Sequence, residues 1–246
     1  MKRALAVFIL LVSNTVISQA AESAAGSAAL AIPGKVVYES KLDTAPGAPW
    51  KTGKGKWELV NGVMRGSELV ADKHGAVTRL PNQLQDFVME YEFKFEGAKA
   101  TSLSINAVKD HMARINISPK SITIQRDDND HDGADKAVVF ARFATELEQG
   151  VWHKVRLEMV GDTMYGQVDD LKAWGASDLF KQTKTAPGFT VAGESVDFRN
   201  LVVREATLNP NWDLVKASLP KPGEQVATST AKANPKAKAK AAAKKN

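Results

Sequence analysis

In the stretch Phe87–Phe95 every second residue is large and apolar, and this pattern constrains the fold more than any other feature of the chain. A repeat of two places successive side chains on opposite faces of a β-strand. One face then holds only large apolar side chains, namely Phe87, Met89, Tyr91, Phe93 and Phe95. The other face is mostly charged. The stretch therefore predicts a half-buried strand in the middle of the fold.

Three further strand-like runs follow at short spacing: Ser102–Asn106, Met112–Ser118 and Ser121–Asp127. Each alternates in the same way, with aliphatic residues on one side and amides, hydroxyls or charges on the other. If the four strands are neighbours in one antiparallel sheet, one face is lined by Glu, Ser, Asn, Arg, Gln and Asp. Such groups suit hydrogen bonding to a polyhydroxylated ligand. The alternative is a face that only meets water, as antiparallel sheets often have.

Short strands separated by turn signals continue through the rest of the chain. Asn61-Gly62 and Gly161-Asp162 each join two strand-like runs, and Asn-Gly is typical of a type I′ hairpin turn. No amphipathic helix of three turns is predicted between Val36 and Arg204. The sequence therefore predicts an all-β fold, a two-sheet antiparallel sandwich or jelly roll, over residues 35–206.

Both ends of the chain differ in composition from this domain. Lys2, Arg3, an apolar run and small residues around Ala20 predict a secretory signal peptide over residues 1–20. Residues 21–34 are predicted to be a flexible lead-in, and residues 207–246 a linker and disordered tail rich in Lys and Ala. We therefore expect an exported protein in the periplasm or outside the cell. The chain has no cysteine, so thiolate chemistry is excluded.

The net charge of +5 describes the ends of the chain more than its domain. Residues 1–34 contribute +1 and residues 207–246 contribute +6, which leaves −2 for the middle. A slightly acidic domain does not predict a specific nucleic-acid partner. The basic tail is either an electrostatic contact to anionic envelope polymers, lipid headgroups or nucleic acid, or a solubilising segment without a specific partner.

Four segments together resemble a known family: Trp57–Gly66, Gln85–Lys94, Gly150–Glu158 and Val196–Val203. They are similar to hairpin and strand motifs of the 3-keto-disaccharide hydrolase domain, also described as a 3-keto-glucoside lyase/hydratase domain. The resemblance covers about residues 36–205 and implies a concanavalin A-like jelly roll, the architecture of family-16 glucanases. These motifs are mainly structural. The segment Thr101–Asn106 departs from the family, because many members carry an Asn-Ser-Gly segment there.

The resemblance implies a carbohydrate partner, a glycoside already oxidised at carbon 3. A ketone there makes the carbon-2 proton acidic, so a base can remove it and the glycosidic oxygen can leave from carbon 1. Such a reaction needs a general base and a cation that stabilises the enolate. The candidate catalytic residues are Asp127, Arg114, Glu92 and His74, and the candidate substrate-binding residues are Asn106, Asn116, Gln125, Trp50 and Trp174.

Other functions fit the same residues. Two carboxylates on a sheet could serve direct glycoside hydrolysis, although the E-x-D-x-x-E signature of family-16 glucanases is missing. A non-catalytic carbohydrate-binding or adhesion module on the same fold is the main alternative to an enzyme. A structural envelope protein that makes contact through its tail is a third.

An acidic loop offers a candidate metal site. Asp128, Asp130 and Asp132 precede Gly133 in the pattern D-x-D-x-D-G, whose carboxylates can converge on a divalent cation such as calcium. An EF-hand would need Glu six residues beyond the glycine, and Val139 stands there instead. EF-hand geometry is therefore excluded, and the alternative to a metal site is a solvated loop.

Overall fold

The computed structural model describes residues 28–128 and 136–226. Nearly all of its regular structure is β-strand, and among the described residues no helix is long and apolar enough to cross a bilayer. The strands are β1 Ala31–Ser40, β2 Lys51–Lys54, β3 Lys56–Val60, β4 Val63–Ser67, β5 Ala76–Arg79, β6 Gln83–Leu84, β7 Phe87–Asn106, β8 His111–Ser118, β9 Ser121–Arg126, β10 Val138–Ala144, β11 Trp152–Val160, β12 Thr163–Val168, β13 Leu171–Ala176, β14 Lys184–Leu208 and β15 Gln225–Val226. The α-helix is α1, Trp212–Ala217, and two 3-10 helices span Val70–Asp72 and Asp178–Lys181.

Two long antiparallel strands, β7 and β14, form the centre of the fold. β7 is one strand of 20 residues, whereas the alternation predicted two separate strands over the same region. Its first half pairs with β11 and its second half with β8, while β14 follows it along the other edge. The register between β7 and β14 shifts near Gly97 and Gly193, whose φ values of 87° and 90° suit glycine. Both strands change layer there.

The sheet folds over this central ribbon into two packed layers. The first layer contains β13, β12, β11, the first half of β7, the second half of β14, and then β1, β4 and β3. The second layer contains β10, β9, β8, the second half of β7, the first half of β14, and then β5 and β2. A Cβ on Gly166 of β12 would lie 3.1 Å from Ile124 of β9, and one on Gly175 of β13 would overlap Phe140 of β10. The layers therefore face each other.

The apolar residues of the alternating strands fill the space between the layers, as predicted. Phe87, Met89, Phe93 and Phe95 are all fully buried in β7. Phe189 of β14 stacks on Phe198 of the same strand, with ring centroids 4.4 Å apart. The structure confirms the predicted all-β, two-layer jelly-roll class.

The two predicted hairpins are also present. β3 and β4 pair from Lys56 opposite Ser67 to Val60 opposite Val63, and Asn61 between them has a φ of 50°. β11 and β12 pair around Gly161. Turn chemistry read from the sequence therefore set the register of both hairpins.

The packed domain extends beyond residues 35–206 at both ends. Leu30 is fully buried, and the backbone N–H of Ala31 donates to Glu158 Oε2 at 2.7 Å, so the end of the predicted lead-in belongs to the domain. Trp212 of α1 is buried against the same layer, within a cluster that includes Tyr165. Residues 207–226 therefore include packed structure, which corrects the predicted linker. Composition missed these segments because only a few residues anchor each of them, namely Ala29, Leu30 and Ala31 at one end and Asn209 and Trp212 at the other.

Candidate functional site

A polar face covers the outside of the second layer. It is formed by the side chains that alternate with the core residues on five adjacent strands. These side chains are Arg79 of β5, Thr190 of β14, Ser102 and Ser104 of β7, Arg114 and Asn116 of β8, and Thr123 and Gln125 of β9. Because a strand places every second residue on the same side, register alone brings them together.

One cross-strand row of this polar face carries two arginines. Gly188 lies opposite Arg79 on one side and opposite Ser104 on the other. Ser104 is in turn opposite Arg114, which is opposite Gln125. Gly188 gives Arg79 its space, since a Cβ there would lie 2.2 Å from the carbonyl oxygen of Thr78 and 2.9 Å from Arg79 Cδ.

Arg79 lies across the row and contacts uncharged oxygens. Its Nη1 donates to Ser104 Oγ at 2.9 Å, to Asn106 Oδ1 at 3.2 Å and to the carbonyl oxygen of Ala186 at 3.2 Å. Burial lowers the pKa of Arg79, repulsion from Arg114 lowers it further, and the charge of Asp127 raises it. The positive charges of Arg79 and Arg114 therefore repel each other across the polar face.

Asp127 joins Arg114 and Gln125 in one cluster. Gln125 Nε2 donates to Asp127 Oδ1 at 2.7 Å, while Arg114 Nε lies 3.1 Å from Asp127 Oδ2 without hydrogen-bond geometry. The Asp127 side chain is 7% exposed and that of Arg114 is 27% exposed. No described residue accepts a hydrogen bond from the terminal nitrogens of Arg114, and the side chain lines the groove described next.

A shallow groove of about 160 Å³ opens beside Arg114. A second cross-strand row crosses this groove, from Thr190 through Ser102 and Asn116 to Thr123. Ser102 Oγ and Thr190 Oγ1 share a hydrogen bond of 2.6 Å. The groove is lined by Ala100, Thr101, Ser102, Arg114, Asn116, Ile117, Ser118, Ser121, Thr190 and Ala192. Hydroxyls, one amide and one guanidinium can therefore meet a ligand together.

Five of the predicted site residues share the polar face. Asn116 and Arg114 line the groove, Gln125 and Asp127 adjoin Arg114, and Asn106 lies at the end of β7, where His111 Nδ1 is 3.3 Å from its Oδ1. The arrangement brings one carboxylate, one cation and three amides within a few strands of each other, as the alternation predicted.

Glu92 does not belong to this face, which corrects its predicted position. It lies in the first half of β7 on the outside of the first layer, where Arg199 Nε donates to its Oε2 at 2.6 Å. We call this outer surface the charged face; its members are Glu90, Glu92, Lys94, Arg156, Asp197 and Arg199. Alternation alone could not separate the two faces, because it does not report the change of layer near Gly97.

The two tryptophans that were predicted to bind substrate also lie away from the polar face. Trp50 is buried in the core, where it stacks on Phe189 at 5.6 Å and its Nε1 donates to Tyr38 Oη at 3.1 Å. Trp174 is in β13 rather than a loop, edge-on to Trp212 at 6.1 Å and outside the first layer. Neither ring reaches the groove. The structure does not bring these two residues to the groove, and their predicted role in binding a substrate stays a prediction.

His74 and the metal candidates stand apart from the groove. His74 is exposed before β5, and its Nδ1 lies 2.7 Å from the carbonyl oxygen of Gly75. Asp128 follows Asp127, whereas Asp130 and Asp132 lie outside the described residues. In the part of the chain that the structure describes, no three His, Asp or Glu side chains gather as metal ligands would. The calcium site stays a prediction.

Sequence reasoning missed Arg79 and Thr190. Arg79 does alternate with buried Ala76 and Thr78, so its outward direction was visible. Its place was not, because β5 pairs with β14, a strand far away in sequence. Thr190 was missed for the same reason. Long-range pairing, rather than local pattern, completes this face.

Solved structures share the fold. A protein of unknown function with a galectin-like fold from Bacillus subtilis has a TM-score of 0.57 at 11% identity, covering 73% of this chain and 100% of that chain. The laminarinase from Rhodothermus marinus has a TM-score of 0.55 at 10% identity, covering 72% and 99%. SCLam, a non-specific endo-β-1,3(4)-glucanase from family GH16, has a TM-score of 0.50 at 13% identity, covering 74% and 96%.

These similarities support the class of fold, an antiparallel jelly-roll sandwich, and at such identities they show the fold alone. The sequence matches no family model and no curated protein. The resemblance to the 3-keto-disaccharide hydrolase domain therefore stays a prediction.

Proposed function

We propose that the protein acts on carbohydrates and binds them in the groove of the polar face. The observation that carries this proposal is the juxtaposition of Ser102, Thr190, Asn116 and Arg114 around one opening. Hydroxyl, amide and guanidinium groups can exchange hydrogen bonds with water for those with sugar hydroxyls. A laminarinase and a glucanase share the fold, which supports a glycan as the ligand class.

A 3-keto-glycoside is the finer candidate for the substrate, and cleavage is the second candidate function. Cleavage is favoured by the 3.1 Å contact between Asp127 Oδ2 and Arg114 Nε, beside the groove. Asp127 would remove the carbon-2 proton, the glycosidic oxygen would leave from carbon 1, and Arg114 would stabilise the enolate. Direct hydrolysis by two carboxylates is less well supported, because Glu92 lies on the charged face.

Purified protein incubated with a 3-keto-glucoside and with the matching unoxidised glucoside tests both functions. Asp127→Asn and Arg114→Ala are the informative variants, and Glu92→Gln is a carboxylate control from the charged face. Release of the leaving group from the oxidised substrate alone, lost in both variants and kept in the control, supports cleavage. Binding without release supports a carbohydrate-binding module. Absence of binding to any neutral or charged glycan would refute the proposal.

We also propose that the chain is exported to the periplasm or beyond the cell. Support comes from the sequence of residues 1–20, whose charged start, apolar run and small residues suit a signal peptidase substrate. Mass spectrometry of the protein recovered outside the cytoplasm should give a mature N-terminus near residue 21. A full-length N-terminus confined to the cytoplasm would contradict export.

A further inference from the structure

The positive charge of the polar face exceeds its negative charge. Its rows carry Arg79 and Arg114, and Arg142 of β10 extends the second row, where its Nε donates to Thr123 Oγ1 at 3.3 Å. Asp127 is the carboxylate that contacts these rows among the described residues. Among the described residues, these rows therefore hold three guanidinium groups and contact one carboxylate, through Arg114. A neutral sugar would leave this imbalance uncompensated.

Arg114 is held in an orientation that suits an incoming carboxylate. Asp127 engages its Nε side, and Asp127 is itself fixed by Gln125. The two terminal nitrogens make no hydrogen bond to described residues, and the side chain lines the groove. A guanidinium presents two parallel N–H groups that match the two oxygens of a carboxylate. A carboxylate of the ligand would accept hydrogen bonds from these two N–H groups of Arg114.

Arg79 supports the same charge from a more enclosed position. Its hydrogen bonds run from Nη1 to the uncharged oxygens of Ser104, Asn106 and Ala186. Since its pKa is lowered by burial and then by Arg114, a second anion nearby would relieve an unfavourable pair of like charges. Arg79 is therefore expected to act on the ligand through its field.

The basic tail begins at the edge of this face. Gln225 and Val226 of β15 pair with Ala141 and Arg142 of β10. The sequence that follows, residues 227–246, contains six lysines and no acidic residue. These six positive charges would add to the attraction for a long anionic chain.

We propose that the glycan bound in the groove is acidic, a uronate-containing oligosaccharide whose carboxylate is held by Arg114. This inference rests on the proposed carbohydrate function and specifies its ligand class. The groove would order one uronate residue through Arg114, Ser102 and Asn116, while the tail would add attraction that depends on chain length and salt.

Titration of the full-length protein with an oligogalacturonate and with its fully methyl-esterified form tests the proposal. The two probes share backbone and length and differ in charge. The acid should bind at least about 10-fold more tightly, since a hydrogen bond to a charged group contributes roughly 1.5–3 kcal/mol. Added salt should reduce this preference. Arg114→Gln should remove most of the preference, and Arg199→Gln, an arginine variant on the charged face, should keep it.

The outcomes separate this inference from the proposed function. Equal or tighter binding of the ester would overturn the acidic ligand and leave carbohydrate binding intact. A preference that survives Arg114→Gln but disappears when the six tail lysines are replaced by Gln would overturn the assignment to the groove. If the protein binds neither probe and no neutral glucan, the proposed carbohydrate function itself is refuted. The comparison of acid with ester on the unmodified protein does not depend on how any variant folds.

Discussion

Arg156 on the charged face contacts two acids, whereas Arg114 on the polar face contacts one carboxylate among the described residues and lines the groove. Arg156 Nη1 donates to Glu90 Oε1 at 2.6 Å and its Nε to Glu158 Oε1, and Glu158 is fully buried. Burial lowers the pKa of Arg156, but the charges of Glu158 and Glu90 outweigh it and leave the pKa raised. Burial and repulsion instead lower the pKa of Arg79.

The difference separates charges that hold the fold together from charges that are available to a ligand. The charged face neutralises its cations internally, and its outside is partly covered by α1 and by the segment before β1. The polar face leaves its cations with one acid and an open groove. Both faces alternate in the same way in sequence, so polarity alone does not distinguish them.

The largest effect is expected from Arg156→Met on the charged face. It leaves the buried Glu158 without its cation, and removing one member of a buried ion pair destabilises a protein by about 3–5 kcal/mol. Chemical denaturation measures the loss. Arg199→Met, whose side chain is 36% exposed, is the control and should lose under about 1 kcal/mol. Equal losses in both variants would show that the charged face is not organised around Arg156.

Gly188→Ala should have the next largest effect, this time on the polar face. Its Cβ would overlap the carbonyl oxygen of Thr78, which belongs to the backbone and cannot move aside easily. We expect a loss of about 1–3 kcal/mol, as for other overpacked sites, together with weaker glycan binding as Arg79 shifts. Thermal unfolding and the same titration measure both. Wild-type binding and stability in this variant would mean that Gly188 does not position Arg79.

Lys184→Met should stabilise the protein, because Lys184 is a cation that neither face neutralises. It is fully buried, Asp86 Oδ1 is 4.0 Å away, and its Nζ has no hydrogen bond to a described residue. Burial lowers its pKa from the ordinary 10.5, and Asp86 only partly opposes this. Methionine should add about 1–2 kcal/mol at neutral pH.

The effect of Lys184 on stability depends on pH. With a lowered pKa in the folded state, the unfolded chain binds the proton more tightly, so stability rises with pH from the lowered pKa toward 10.5. The advantage of Lys184→Met should therefore shrink as the pH approaches 10.5. An advantage that is constant between pH 7 and 10 would show that Lys184 does not cause it.

The smallest effect is expected from Glu92→Gln, which sharpens the comparison between the faces. Glu92 pairs with Arg199 near the surface, and such pairs contribute about 0.2–1 kcal/mol. Glycan binding and any turnover should be unchanged, in contrast to Asp127→Asn. Loss of activity with intact folding would return Glu92 to the catalytic candidates.

The local alternation of the sequence predicted much of the polar face of the second layer. It predicted little about which strands distant in sequence pair with each other. Arg114, Asn116 and Gln125 share a face because β8 and β9 form a hairpin that the sequence encodes directly. The sequence placed Glu92 on the wrong face because β7 changes layer near Gly97. The alternation continues through this bend, but the outward side chains before it lie on the first layer and those after it lie on the second layer. Trp50 was misplaced because a loop rich in proline and glycine gives no sign that it turns back into the core.

β7 and β14 run through both layers. The same two strands therefore determine which side chains face inward and which face outward in each layer. Loss of a single residue from the first half of β7 would invert every inward and outward position up to the bulge near Gly97, and the shifted pairing with β14 would carry the error into the other layer. Length changes in descendants of this chain should therefore accumulate in hairpin loops, while β7 and β14 keep a constant length.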